Sequence, residues 1–445
     1  MEILYPELKE TFPDPLNLFS WNRDEGVKKP WDINVVVAAS HPAGASAILP
    51  LVNELANRGA ACRLFTPPAK DGIERAATAF ARNFAFVRQP QATVDGISSE
   101  IFSPNQTNLV IFGASGGGDE KLEISTVEQA IKLKRLGRKI LIAGIEDDAS
   151  GLVGLVKQLS AGGINLQTEI DALFLANRLP CQFYEELGVP VTKLIPIGPT
   201  GFDFLHQENT SELGHTFRES QRIDSSDIVI VHNAIRGTGL WSEIEIDATP
   251  KILSAIFRLA AGHPDKKFVF IYRFHPDDQQ PEVLNEILTK FAQIPNNLKV
   301  IVHQPSDSRT DSRSPLAAAD LVITTVSTTN TGVSLCGAKP ESSRPQTGHM
   351  PLYFISPIAE KELGKTETML PTASQLKAAA VTNTEQELLP AMENALFDVD
   401  YRRRIFSAQA TALREIYRFK GTATATERVL LQIRTLLTQS VNHRN

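Results

Sequence analysis

The chain has 445 residues and a formal net charge of −6, from 45 basic and 51 acidic side chains, which excludes a broad basic nucleic-acid face. Its three cysteines, Cys62, Cys181 and Cys336, are scattered and odd in number, which excludes a disulfide framework or a zinc knuckle. With 42% hydrophobic residues the chain can bury a sizeable core, yet it has no run of about 18 apolar residues to cross a membrane. The start, MEILYPELKETFPDP, has acids and prolines where a secretory leader needs a basic start and an apolar stretch. A reducing, cytoplasmic setting is the expectation.

Residues 1–31 are rich in proline and aromatics and read as an N-terminal arm, packed through Tyr5, Phe12, Phe19 and Trp21. From Asp32 a rhythm begins. Ile33–Ala39 is an apolar, β-branched strand, a small-residue loop follows, and an amphipathic helix runs from Ser46 to Arg58. Gly59 closes that helix, and Ala61–Phe65 is the next strand, which makes a βαβ unit and a parallel sheet. Strands follow at Asn108–Gly113, Lys139–Gly144, Ala172–Ala176 and Lys193–Ile197, with a helix over Ser125–Leu136 ended by Gly137. Continuously apolar strands imply a sheet covered on both faces. A Pro/Gly turn at 196–203 and a polar stretch over 204–226 interrupt the rhythm.

A second series then starts. Strands are predicted at Asp227–His232, Lys267–Tyr272, Leu298–His303, Asp320–Thr324 and Leu352–Ile355. Helices are predicted over 247–261, from Pro281 to Gln293, and from Thr329. The tail from 384 reads as two or three helices. The organisation is an arm (1–31), an N-terminal Rossmann-like domain (32–203), a linker (204–226), a C-terminal Rossmann-like domain (227–383) and a helical tail (384–445).

Ligands of open parallel sheets bind outside the carboxyl ends of the strands, so residues directly after each strand are the candidates. Arg273 and His275 follow Lys267–Tyr272 and suit a phosphate, Arg273 being permanently charged. A plain loop with Arg273 paired to Asp277 or Asp278 is the alternative. Asp320–Thr324 leads into a hydroxyl run containing Ser327, Thr328 and Thr329, a helix start whose free N–H groups favour an anion. An N-cap with surplus threonine is the alternative there. Asp227–His232 leads to Gly237-Thr238-Gly239, which is equally a plain turn. These three loops share one half and would converge on one crevice. No Walker A pattern or dinucleotide fingerprint is present.

In the first half, His41, Gly44 and Ser46 follow the first strand, and the run containing Ser115 and Gly116 follows Asn108–Phe112. Glu146, Asp147 and Asp148 follow Lys139–Ile145. A carboxylate at a strand end is a general-base candidate, although an acid at a helix start is the commoner role for any single one.

The segments HPAGASAILPLVNELANRGAACRLFTP (41–67) and LAAADLVITTVSTTNTGVSLCGAKP (316–340) resemble the opening and donor-site units of GT-B glycosyltransferases. The resemblance spans about residues 32–440. A narrower likeness, to bacterial sialyltransferase-like and capsule-polymer transferases, rests on Asp147-Asp148-Ala-Ser-Gly151, His275-Pro276 and Ser327-Thr328 in that order.

The resemblance implies an α/β protein with two Rossmann-like domains facing a cleft and C-terminal helices crossing back. It implies transfer of a sugar from a nucleotide-sugar donor to a hydroxyl of a glycan, lipid or protein, with inversion and without a metal or tightly bound cofactor. Asp147 or Asp148 would activate the acceptor, with His41 ranked behind them. Arg273, His275, Ser327, Thr328, Thr329 and the 237–239 loop would hold the donor phosphates. Gly44, Ser46, Ser115 and Gly116 would line the acceptor side. Many UDP-sugar users have a Glu where this chain has Val333, which argues for another nucleotide or for lost activity. Two alternatives stay open: an epimerase or polymer phosphotransferase on the same fold, and a non-catalytic binding or scaffold relative. No nucleic-acid partner is expected; peripheral contact with a membrane stays open.

Overall fold

The computed structural model describes residues 31–40, 42–68, 91–92, 97–113, 121–147, 151–178, 180–201, 203, 210–235, 240–275, 294–303, 313–326, 350–366, 372–375, 377–415 and 424–442. Residues 1–30 of the N-terminal arm and the predicted helices at 281–293 and from 329 lie outside these residues.

Two parallel sheets organise the chain. The first contains β1 (Ile33–Ala38), β2 (Ala61–Thr66), β3 (Gln91–Ala92), β4 (Thr107–Phe112), β5 (Ile140–Ile145), β6 (Ala172–Leu175) and β7 (Leu194–Pro196), in the order β3-β2-β1-β4-β5-β6-β7. The second contains β8 (Ile228–Asn233), β9 (Phe268–Arg273), β10 (Leu298–His303), β11 (Leu321–Thr324), β12 (Met350–Phe354) and β13 (Ala380–Thr382), in the order β10-β9-β8-β11-β12-β13. Each sheet grows outward from its first strand and then reverses, which is the doubly wound order with a switch point at β1/β4 and again at β8/β11. Strands β1, β5 and β9 are buried at every position, because helices cover both faces. The edge strand β10 is only partly buried.

The helices used below are α1 (Pro42–Asn57), α2 (Lys121–Arg135), α3 (Gly151–Ala161), α4 (Cys181–Glu186), α5 (Thr210–Ser220), α6 (Leu240–Gly262), α7 (Ser314–Ala318), α8 (Pro357–Thr366), α9 (Glu385–Phe397), α10 (Val399–Glu415) and α11 (Ala425–Asn442). Gly59 and Gly137, just beyond α1 and α2, have φ of 90° and 88°, the left-handed conformation that ends a helix without a Cβ clash. Helix α6 is longer than the predicted 247–261. Pro250 removes one N–H from it, but Ile244, Ala248, Ile252, Leu253 and Ile256 form a buried stripe that carries the helix through. The polar stretch expected as linker holds α5, which packs on the second sheet: Phe217 joins Val229, Val231 and Val269, and Arg218 bonds Asp320 at 2.9 Å.

The tail divides its allegiance. Leu388, Met392, Ile405 and Phe406 of α9 and α10 belong to the core of the second sheet. Ala425, Val429, Leu430 and Ile433 of α11 belong to the core of the first, with Val35, Val37, Ile48 and Leu49. The expected crossing back is thus made by α11. Its start is fixed by Asp203, whose carboxylate accepts from the N–H groups of Ala425 (2.8 Å) and Thr426 (2.7 Å), while Arg428 donates to the Ile197 carbonyl at 2.8 Å. Arginines 402–404 lie on α10 instead, with Arg403 and Arg404 exposed. Among the described residues no helix is long and apolar enough to cross a membrane.

Candidate functional site

The second sheet's switch point is formed by the carboxyl ends of β8 and β11, with β9 alongside β8. These strands end on Asn233, Thr324 and Arg273. Asn233 and Arg273 are register partners, and both are buried. The Arg273 guanidinium donates to the Asn233 side-chain oxygen. Thr324 Oγ1 donates to the Asn233 backbone carbonyl at 2.9 Å and ties β11 to β8 across the switch. Thr325 follows, fully buried, and its hydroxyl has no hydrogen-bond partner among the described residues. His275 is half-buried two residues past Arg273. The structure therefore brings Arg273 to the switch point, where it engages Asn233.

Behind this corner, on the α6 side, sits a buried polar network. Glu245 Oε1 pairs with His232 Nε2 at 2.6 Å and accepts from Thr249 Oγ1 at 2.6 Å. Its other oxygen accepts from the Ile235 N–H at 3.1 Å. Burial pushes the Glu245 carboxyl up, but the His232 charge and the bonds from His232, Thr249 and Ile235 outweigh it and hold it below the ordinary range. It is ionised at neutral pH.

At the first sheet's switch point, Glu123 of α2 accepts from both the backbone N–H and the hydroxyl of Ser40, just past β1, at 2.5 Å each. Gly113 follows β4, and a Cβ there would come within 2.9 Å of the Ile48 Cδ1 side-chain tip and 3.0 Å of the Ile145 carbonyl oxygen, a close fit of β4 against α1 and β5. Gly44 is buried in the first turn of α1, and Ser46 is one turn on. The helix begins at Pro42 rather than Ser46, so both belong to it and not to a preceding loop.

Beyond β5, Glu146 and Asp147 are both buried. Tyr184 of α4 donates to Glu146 Oε1 at 2.8 Å. Burial, and then the Glu146 charge and hydrogen bond, push the Tyr184 hydroxyl well above its ordinary value. Of the predicted residues, His41, Ser115, Gly116, Asp148, Gly237, Thr238, Gly239, Ser327, Thr328 and Thr329 lie outside the described residues, as do Asp277, Asp278 and Val333.

The sequence reading missed Asn233, Glu245 and Glu123. Asn233 had a signal: it is the residue directly after the predicted strand Asp227–His232, passed over for the glycines beyond it. Glu245 and Glu123 had none, because each lies within a helix and meets its partner only through the fold.

No protein-family model matches the sequence, and no curated protein matches it. Solved structures do match in shape. The Anabaena protein HepE in complex with UDP superposes with a TM-score of 0.56 at 11% identity, over 91% of this chain and 100% of that one. Staphylococcus aureus MnaA with UDP gives 0.55 at 13%, over 92% and 97%. A UDP-forming α,α-trehalose-phosphate synthase from Burkholderia xenovorans gives 0.51 at 14%, over 91% and 99%. These matches run along almost the whole chain, both doubly wound sheets included. The chain has the GT-B fold. Within the GT-B frame, Arg273 and Asn233 stand at the switch point of the C-terminal sheet, and Glu146 and Asp147 at strand ends of the N-terminal one.

Proposed function

We propose that the chain is a nucleotide-sugar enzyme whose second sheet holds the nucleotide diphosphate, and that it transfers the sugar to a hydroxyl acceptor. The observation that carries this reading is the buried Arg273–Asn233 pair across β8 and β9, beside the β8/β11 switch point. Arg273 is always charged, and a fixed cation in a low-dielectric corner stabilises an anion far more than one in water does. Thr325 adds a buried hydroxyl with no partner among the described residues, which serves as a donor in this reading. His275 and the 237–239 and 327–329 loops complete the phosphate site in this reading.

Asp147 is the general base, with Asp148 as the second candidate; His41 ranks behind both. Tyr184 holds Glu146 beside it. The acceptor hydroxyl gives its proton to the carboxylate, its oxygen bonds to the anomeric carbon, and the bond from that carbon to the diphosphate breaks. The electron pair leaves on the phosphate oxygen, which Arg273 neutralises. Attack opposite the leaving group inverts the centre. No metal or tightly bound cofactor enters this scheme. Gly44, Ser46, Ser115 and Gly116 fall on the acceptor side.

A second reading, epimerisation of a nucleotide sugar, is favoured by matches to UDP-GlcNAc 2-epimerases, including the Neisseria meningitidis enzyme bound to UDP-GlcNAc. One assay separates the two. The protein is incubated with a panel of nucleotide sugars, with and without hydroxyl acceptors. Nucleotide release that depends on an acceptor supports transfer. Conversion of the sugar without an acceptor supports epimerisation. Failure to bind any nucleotide refutes both and leaves a scaffold role.

A further inference from the structure

We infer that Glu245 is a positioning residue for the phosphate-binding corner of the second sheet, acting through the residues on either side of Asn233 and the one before Arg273. The inference rests on reading that corner as the nucleotide site. Side chains alternate faces along a strand, so His232 and Tyr272 point to the face opposite Asn233 and Arg273. Glu245 reaches them there, from α6. His232 immediately precedes Asn233, and Ile235 lies two residues after it; the Glu245 carboxylate binds both, at 2.6 and 3.1 Å. Tyr272 immediately precedes Arg273, and its hydroxyl approaches Glu245 Oε1 at 3.4 Å, with its ring 5.2 Å from that of His232. Thr249, one turn further along α6, donates to the same oxygen at 2.6 Å.

One carboxylate thus grips β8, β9, α6 and the start of the β8–α6 turn. Burying a carboxylate is costly, and apolar residues would fill the space at less cost. What an apolar side chain cannot do is hold the Ile235 N–H and the His232 ring in fixed positions. An Arg–Asn pair that must meet a phosphate within a fraction of an ångström needs such a hold.

The test measures UDP affinity by titration calorimetry for the wild type, Glu245→Gln, Arg273→Ala and the double variant, with hydrogen exchange at the Ile235 amide. Glu245→Gln keeps the shape and removes the charge. The expected result is UDP binding about tenfold weaker in Glu245→Gln, within the range of coupling for residues of one network. In the Arg273→Ala background the same change should add at most about twofold. Ile235 exchange should speed up in Glu245→Gln. Thr249→Val, which removes a single bond to the carboxylate, should show the same effects to a smaller degree and serves if Glu245→Gln does not fold. Additive losses in the double variant, or unchanged UDP affinity in Glu245→Gln and Thr249→Val, would overturn the inference. The titration uses whichever nucleoside diphosphate of a panel the wild type binds, UDP first; if Arg273→Ala binds it as well as the wild type does, or the wild type binds none of the panel, the reading of the site fails and this inference falls with it.

Discussion

Arg273 donates to the side-chain oxygen of Asn233 across the β8–β9 pair, next to the β8/β11 step where the second sheet reverses its strand order. The contact fixes a buried cation at the carboxyl end of its strand, the side of such sheets on which ligands bind. Arg273→Ala should weaken UDP binding by about 10- to 100-fold, the worth of a charge-assisted hydrogen bond. Arg273→Lys should recover only part of this, because a point charge does not reproduce the guanidinium fork. Calorimetric titration checks both.

Asp203 ties the end of the first domain's chain to the last helix. Its two oxygens satisfy two N–H groups at the start of α11, both buried. Asp203→Ala should cost about 2 kcal/mol, the upper range for loss of a helix cap. Urea unfolding measures the cost. Hydrogen exchange should show the loss concentrated in α11 and in the α1 face it covers.

Two glycines make opposite predictions. A Cβ at Gly214 of α5 would land on the carbonyl oxygen of Ala317 in α7, with the carbonyl carbon 2.7 Å away. The obstacle is backbone, so Gly214→Ala should destabilise by about 2 kcal/mol or more. A Cβ at Gly154, inside α3, would meet nothing within 4 Å. Gly154→Ala should stabilise by up to about 1 kcal/mol through helix propensity alone. Thermal unfolding of the two variants against the wild type decides both.

High pH should unfold the protein through buried acids. Burial pushes the thiols of Cys62 and Cys181 up to about 12, and the Tyr184 hydroxyl also lies well above its ordinary value. Each keeps its proton in the folded chain where the unfolded chain has lost it. Their contribution is therefore complete below the ordinary thiol value of 9.0 and is lost as pH rises through about 12. Denaturant midpoints should fall steadily from pH 9 upward, and more shallowly in Cys181→Ala.

The sheets were legible because buried parallel strands write themselves as continuous apolar runs: INVVVA, ILIAGI and FVFIYR are each buried throughout. Some helices were not. Helix α3 buries Leu152, Leu155, Val156 and Leu159, but Gly151 and Gly154 interrupt its helical pattern, and α5 meets α7 partly by close backbone approach at Gly214. In the site, Arg273 announced itself by charge and position. Asn233 is neutral and common, and the roles of Glu123 and Glu245 exist only once helix and strand are brought together.

The most direct test of the account is a crystal structure of the protein with UDP. The account predicts the diphosphate at the carboxyl ends of β8, β9 and β11, within hydrogen-bond reach of the Arg273 guanidinium. A diphosphate bound against the first sheet, or one that leaves Arg273 without a ligand contact, would contradict it.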